Sequence, residues 1–251
     1  MKLEFKDHFS ENSEEYNKFR PKYPAELFAY LASVSKQHKK AWDCATGTGQ
    51  SALSLSEYYS TVIATDASKI QIENAETKQG VIYQVATAEN SNIDGRSIDL
   101  ITVAQACHWF NIDAFAMEVN RVLKKQGIVA IWSYNLLSIQ GDIDEIVSSL
   151  YHDILGEYWP VERKMVENGY KNFQLPFKEI ETPLFNMSAN WNLYQLTGYL
   201  CTWSATNKYK KKCGLNPVEI VYDQLADLWG KPEKKLSVKW PLSIRIWQKI
   251  T

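Results

Sequence analysis

The ten residues Ala41-Trp42-Asp43-Cys44-Ala45-Thr46-Gly47-Thr48-Gly49-Gln50 constrain the fold more than any other stretch. A short apolar run stops at two closely spaced glycines, and a helical run follows from Ser51 to Tyr58. That order reads as strand, tight turn, helix. Gly47, Gly49 and Ala52 match G-x-G-x-x-A, in which glycine lets the backbone turn sharply and approach a ligand at a helix N-terminus. A second apolar run, Val62-Ile63-Ala64-Thr65-Asp66, ends on an acid. Its spacing from the turn is close to the ~20 residues at which a carboxylate meets ribose hydroxyls. Together they predict a nucleotide-type cofactor, the alternative being a plain turn with a solvated acid beyond it.

Dinucleotides and S-adenosylmethionine share this layout. Asp43 stands just before the turn, and no Lys or Arg lies between Trp42 and Tyr58. A carboxylate there repels a pyrophosphate and tolerates or attracts an ammonium and a sulfonium. The residue pattern therefore favours S-adenosylmethionine, unless Asp43 is a solvated strand end.

The same rhythm continues along the chain. Strands are expected at 41–45, 61–66, 81–85, 98–104 and 128–133. Ser68 caps a short helix carrying Ile70, Ile72 and Ala75, and Asn111 caps one with Phe115, Val119, Val122 and Leu123 on one face. Lys124, Lys125 and Gly127 are expected to close that second helix as a basic last turn and a glycine stop. Strict β-α-β alternation predicts a doubly wound parallel sheet. Ahead of it, Phe9 to Phe19 reads as an amphipathic helix, Arg20-Pro21 as a turn, and Pro24 as the start of another helix with Leu27, Phe28, Leu31 and Val34 at helical spacing. The first segment is either a lid carrying Tyr16, Arg20 and Tyr23 or a peripheral helix.

Beyond Tyr134 the alternation ends. Helices are expected at 142–155, 192–206 and 217–229, a strand at 177–185, and a last strand at 236–250 with Pro241 marking a bulge or an edge. Seven of the nine tryptophans lie past Gly127, where they line an acceptor pocket or fill a core beneath inserted helices.

At 251 residues, 45% apolar and 23% charged, the chain can bury a large core as one domain or one with a cap. A net charge of -1 argues against a generally basic nucleic-acid binder. The four cysteines show no zinc spacing and read as reduced thiols of a cytosolic protein. No signal-peptide run and no membrane-spanning run is present in the sequence.

Five motifs in order resemble the class I S-adenosylmethionine-dependent methyltransferases, and within them the methyltransferase type 11 and trans-aconitate methyltransferase-like group. They are Tyr16…Arg20-Pro21-Lys22-Tyr23-Pro24, Trp42 to Gln50, Ala64-Thr65-Asp66, Ala104-Gln105-Ala106-Cys107-His108-Trp109-Phe110 and Arg121-Val122-Leu123-Lys124. The resemblance covers Phe9 to Tyr134 well and the last third more loosely. It implies one Rossmann-like domain over 1–251: lid helices in 1–36, a cofactor-binding core in 37–134, and acceptor-side helical insertions with the last two strands in 135–251. The α/β sheet would be seven-stranded, mostly parallel, with its last strand antiparallel.

The resemblance also implies roles. Asp43 and the turn Ala45, Thr46, Gly47, Thr48, Gly49 and Gln50 would hold the methionine end. Asp66 would take the ribose hydroxyls, and Ala67 would lie against the adenine. Thr87, Ala88 and Glu89 would border the adenine edge, and Ala104 and Gln105 would lie under the sulfonium. Ala45 stands where the family has its first glycine, and Thr87 where it often has Asp. Tyr16, Arg20, Tyr23, Trp109 and Trp203 are the candidates for acceptor binding, and no metal is expected.

The expected reaction is methyl transfer from S-adenosylmethionine to a small-molecule acceptor, with a carboxylate oxygen as the preferred target and S-adenosylhomocysteine as product. A carboxylate is ionised at neutral pH and needs a clamp, not a base; Arg20 offers one. His108 is the catalytic candidate should a base be needed, or else a structural histidine. No N-P-P-aromatic run follows Ala104, which argues against adenine or amide methylation, and Cys107 lacks the preceding proline of cytosine-carbon methyltransferases. The rival readings are an RNA or protein methyltransferase using Lys208 to Lys212, a catalytically silent binder of S-adenosylmethionine, and a nicotinamide-dependent oxidoreductase. The basic run is otherwise a solvated helix end. A monomer is expected, without a membrane or nucleic-acid partner.

Overall fold

The computed structural model describes residues 18–250. Tyr16 and most of the expected 9–19 helix lie outside these residues. Lys18 and Phe19 are helical, and Arg20 to Pro24 lead into α1, Ala25–Val34. The sheet core follows as β1, Lys40–Cys44; α2, Gln50–Leu55; β2, Thr61–Asp66; α3, Lys69–Glu73; β3, Val81–Val85; β4, Ile98–Ala104; α4, Ile112–Val122; and β5, Leu123–Tyr134. The rest of the chain adds α5, Gly141–Ser149; α6, Arg163–Glu167; β6, Lys178–Ile180; β7, Asn186–Trp191; α7, Leu193–Cys201; α8, Ser204–Cys213; α9, Pro217–Trp229; and β8, Leu236–Gln248.

Seven strands run in the order β3-β2-β1-β4-β5-β8-β6, and β7 pairs with the first half of β8. Strands β1 to β5 are parallel, while β8 is antiparallel to β5, β6 and β7. Helices cover both faces of the parallel part, so its central strands are near-continuous apolar runs whose side chains alternate between two cores. On one face Ala41, Val62, Leu100, Ile128, Ala130 and Trp132 meet Leu27, Phe28 and Leu31 of α1 and Leu55 of α2. On the other, Trp42, Cys44, Ile101, Val103, Val129 and Ile131 meet Phe115, Val119 and Val122 of α4. A third core joins α5, α7, α9 and the β7-β8 pair, and contains Trp191, Trp203, Trp229 and Trp240.

Four features differ from the sequence expectation. Lys124, Lys125 and Gly127 do not close α4: the helix stops at Val122 and β5 begins at Leu123. Lys124 is drawn into the sheet instead, its ammonium 2.6 Å from the buried Asp99 carboxylate. The β4-β5 register slips there, Ile98 facing Leu123 and Leu100 facing Ile128, and Gln126 takes a left-handed turn at φ 65°. The strand expected at 177–185 is shortened to β6, and β7 was not anticipated, so three strands follow residue 135 in place of two. The helix expected at 192–206 breaks in two, because Trp203 is extended and turns its ring into the core. Pro241 sits where β8 passes from β5, through Leu242 and Tyr134, to β7, through Pro241 and Asn186. No helix among the described residues is long and apolar enough to cross a membrane.

Candidate active site

A cavity of about 850 Å³ opens at the carboxyl ends of the parallel strands, where the strand order reverses between β1 and β4. Ligands of open α/β sheets bind at such a point, and the volume falls in the range of ligand sites. Each strand end contributes a segment: Ala45 to Thr48 after β1, Asp66 and Ala67 at β2, Ala86 to Glu89 after β3, Ala104 to Ala106 and His108 to Asn111 after β4, and Tyr134 at the end of β5. The facing wall comes from Arg20, Pro21 and Tyr23, from Pro160 to Glu162, and from Lys208 on α8.

The turn after β1 is held by its neighbours. Thr46 N–H donates to Thr65 O at 2.9 Å, and Gly47 N–H to Asp66 Oδ2 at 2.9 Å. Gly47 has φ 58°, and a Cβ built there meets nothing nearer than Gln71 Oε1 at 3.9 Å. It therefore projects into the cavity it lines, leaving a cradle of bare backbone for a ligand. Gly49 has a different reason: at φ 93° a Cβ added there would collide with Tyr83 Oη, and the residue does not line the cavity. Ala45 stands in the left-handed region at φ 54°, as does Gln105 at φ 58°, so two non-glycine residues on the cavity wall carry backbone strain.

Asp43 is corrected by the structure: the carboxylate does not face the cavity. It is 1% exposed and accepts from Thr102 Oγ1 at 2.6 Å and Thr46 Oγ1 at 2.5 Å. The carboxylate thus ties the end of β1 to β4 through Thr102 and to the glycine turn through Thr46. Burial pushes its pKa up to about 6, against the lowering by these hydrogen bonds.

Of the remaining sequence candidates, Ala45, Thr46, Gly47, Thr48, Gln50, Asp66, Ala67, Thr87, Ala88, Glu89, Ala104 and Gln105 line the cavity, together with Arg20, Tyr23, His108 and Trp109. Trp203 does not: it is 4% exposed and packs against Tyr151, Trp159 and Tyr199. None of the tryptophans past Gly127 reaches the cavity, so they fill core. Glu89 also accepts from Asn111 N–H at 2.9 Å, joining the segments after β3 and β4.

On the facing wall, Arg20 Nη1 donates to Tyr134 Oη at 3.0 Å and Nη2 to Thr202 O at 3.1 Å, and the guanidinium lies over the Tyr199 ring. Gln50 Nε2 donates to Pro21 O at 3.2 Å and fastens this segment to α2. His108 is half-buried, with Nδ1 2.9 Å from Tyr170 Oη. Burial, and then the nearby Arg163 cation, hold its pKa down to about 3. Sequence reasoning missed Tyr134, Gln71, Asn111 and Pro160 to Glu162; only Tyr134, the last residue before the alternation ends, carried a signal. Among the described residues no group of three His, Cys, Asp or Glu is placed to hold a metal ion.

Residues 42–131 match the model of a family described as a methyltransferase domain. A Dictyostelium discoideum protein named "putative methyltransferase" is 35% identical over 204 residues, which are 80% of this chain and 78% of that one. A Saccharomyces cerevisiae protein named "probable S-adenosylmethionine-dependent methyltransferase" is 29% identical over 131 residues, 49% of this chain and 45% of that one. Among solved structures, a "putative type II methyltransferase" from Anaeromyxobacter dehalogenans superposes with a TM-score of 0.86 at 37% identity, covering 92% of this chain and 99% of that one.

Proposed function

The chain belongs to the class I S-adenosylmethionine-dependent methyltransferases, and from that premise we propose that it methylates a carboxylate oxygen of a small-molecule acceptor. It is an enzyme, and its methyl donor is S-adenosylmethionine. When bound, that donor supplies an activated methyl group whose transfer to an oxygen lone pair breaks the methyl–sulfur bond and leaves the electron pair on sulfur.

In this reading Ala45 to Thr48 and Gln50 hold the methionine end, Asp66 takes the ribose hydroxyls, Ala67 and Thr87 to Glu89 border the adenine, and Ala104 and Gln105 lie beneath the sulfonium. All of these line one cavity, and the bare backbone at Gly47 fits a ligand that approaches closely. The protein's work is to bind, orient and exclude water.

The observation that carries the choice of acceptor is Arg20. Its guanidinium is fixed on the cavity wall by Tyr134, Thr202 and Tyr199, and Lys208 lines the same cavity. A pre-positioned cation on this wall suits an anionic acceptor. A carboxylate needs no base, and His108, with its pKa near 3, is a poor one. Of the run Lys208 to Lys212 only Lys208 lines the cavity; Lys210, Lys211 and Lys212 form the last turn of α8, where positive charge complements the helix dipole. That arrangement favours a small acceptor over RNA. Residence in the cytosol belongs to the same proposal, supported by four free thiols.

The test is incubation of the purified protein with methyl-labelled S-adenosylmethionine, a panel of small carboxylic acids and cell extract, followed by mass spectrometry. Label in a base-labile methyl ester is expected. Label in an amine, in RNA or in protein sinks the carboxylate reading.

A further inference from the structure

We infer that His108 serves the acceptor as a hydrogen-bond donor, through an Nε2–H whose position Tyr170 fixes, and not as a general base. The inference rests on the reading above in one respect, that the acceptor presents an oxygen lone pair to this wall of the cavity.

Cys107–Trp109 is a single 3₁₀ turn at the end of β4, and the leading N–H groups of such a turn find no partner inside it. Beside this turn the buried Tyr170 hydroxyl faces the His108 ring. Its oxygen lies 2.9 Å from His108 Nδ1, with the two rings inclined by only 25°. A phenol oxygen has one proton and two lone pairs. Among the described residues His108 Nδ1 is the one hydrogen-bond partner of this hydroxyl, so a proton on Nδ1 would leave the buried phenol O–H without an acceptor; the phenol proton therefore goes to Nδ1. A ring nitrogen that accepts carries no proton of its own, and the neutral imidazole therefore holds its hydrogen on Nε2. Flipping the ring would set a carbon against the hydroxyl and lose the bond.

Tyr170 is built to hold this position. It is 2% exposed, its backbone is left-handed at φ 55° directly after Gly169 at φ 59°, and its carbonyl accepts from Arg245 Nη1 at 2.9 Å. Burial pushes its own pKa well up, so it remains a phenol. The groups that face the pair are Arg163, which opposes a second proton on His108, and the buried thiol of Cys107 beside Tyr170. With Nδ1 engaged, Nε2–H is the ring's remaining polar group, and His108 lines the cavity beside Trp109.

The consequence is selective. A fixed neutral N–H orients an acceptor oxygen that already has a free electron pair. It gives no help to a hydroxyl or amine that must first lose a proton, because a useful base has a pKa near the working pH. Tyr170 is then a positioning residue: it touches no acceptor, and acts by setting the tautomer of His108.

Ring ¹⁵N NMR on histidine-labelled protein tests the tautomer, with His108→Gln identifying the signal and no acceptor required. One neutral form with its proton on Nε2 is expected from about pH 5 to pH 8, and Tyr170→Phe should release it to a mixture. Transfer of label into the acceptor pool of extract tests the role. His108→Leu should lower it by about 30-fold or more, and His108→Gln by less than about 10-fold, since the amide donates a hydrogen bond but takes no proton. A proton on Nδ1, or titration near pH 6.5, overturns the fixed donor. Equal loss in the two variants restores the base, and undiminished transfer in His108→Leu removes the ring from acceptor binding. Failure of the carboxylate reading looks different: the product is no ester, or none forms, while the wild-type ring keeps its single tautomer.

Discussion

The backbone N–H of Gly47 donates to Asp66 Oδ2 across 2.9 Å, so one carboxylate ties the turn after β1 to the tip of β2. Its other oxygen accepts from Ser68 N–H at 2.8 Å at the start of α3. Asp66 shapes the cavity wall as well as lining it. Asp66→Ala should therefore weaken binding of S-adenosylhomocysteine by at least about two orders of magnitude, since charge-assisted bonds contribute roughly 1.5–3 kcal/mol each. Asp66→Asn, which keeps one acceptor oxygen, should lose less. Calorimetry reads both, and an unchanged dissociation constant in Asp66→Ala would show that the acid serves the turn alone.

The two glycines of the turn should separate by phenotype. Gly47→Val places a branched side chain in open cavity at φ 58°, so binding of S-adenosylhomocysteine should be lost from a protein that still folds. Gly49→Ala meets Tyr83 and is strained at φ 93°, so it should lower thermal stability by about 1–2 kcal/mol, with binding impaired second. Thermal unfolding and calorimetry on both variants check the pair. Normal affinity in a folded Gly47→Val protein would refute the close-approach reading.

The parallel core was legible because two-sided burial leaves continuous apolar runs and because punctuation was local: Ser68 and Asn111 cap the helices they were expected to cap. What failed was non-local. Lys124 reads as a helix end until the buried Asp99, distant in sequence, draws it into β5. Trp203 reads as a pocket aromatic until α7, α8 and the segment around Tyr151 close over it. Asp43 reads as facing a ligand because the sequence shows its place before the turn but not which side of the turn the carboxylate takes. The Tyr170–His108 pair, 62 residues apart, left no trace in spacing at all.

Arg20→Leu should impair methyl transfer by at least about 10-fold while cofactor affinity changes little, because a bidentate cation contributes orientation as well as charge. Arg20→Lys should recover only part of the loss. Its single ammonium cannot serve Tyr134 Oη and Thr202 O with the geometry of two guanidinium nitrogens. Turnover and calorimetry on the same preparations separate the two effects. An Arg20→Leu protein that methylates its acceptor at the wild-type rate removes the clamp.

The buried Asp43 gives a pH signature with a definite sign. Its folded pKa is pushed by burial to about 6, from an ordinary value of 3.8. Between those values the folded protein holds a proton that the unfolded chain releases, so this group's contribution to stability is complete below about pH 4 and is lost as pH rises through about 6. The full span is up to about 3 kcal/mol. His108 works in the opposite direction, its folded pKa of about 3 making stability fall as pH drops below 6.5, so the wild-type curve alone mixes the two. Asp43→Asn removes the ionisation while keeping a hydrogen-bonding side chain between Thr46 and Thr102. Urea unfolding of both proteins at intervals from about pH 4 to pH 7 should show the wild type losing stability relative to the variant as pH rises. A difference that stays flat across that range would mean that the folded carboxylate titrates at its ordinary pKa, and that Asp43 is less enclosed than its 1% exposure shows.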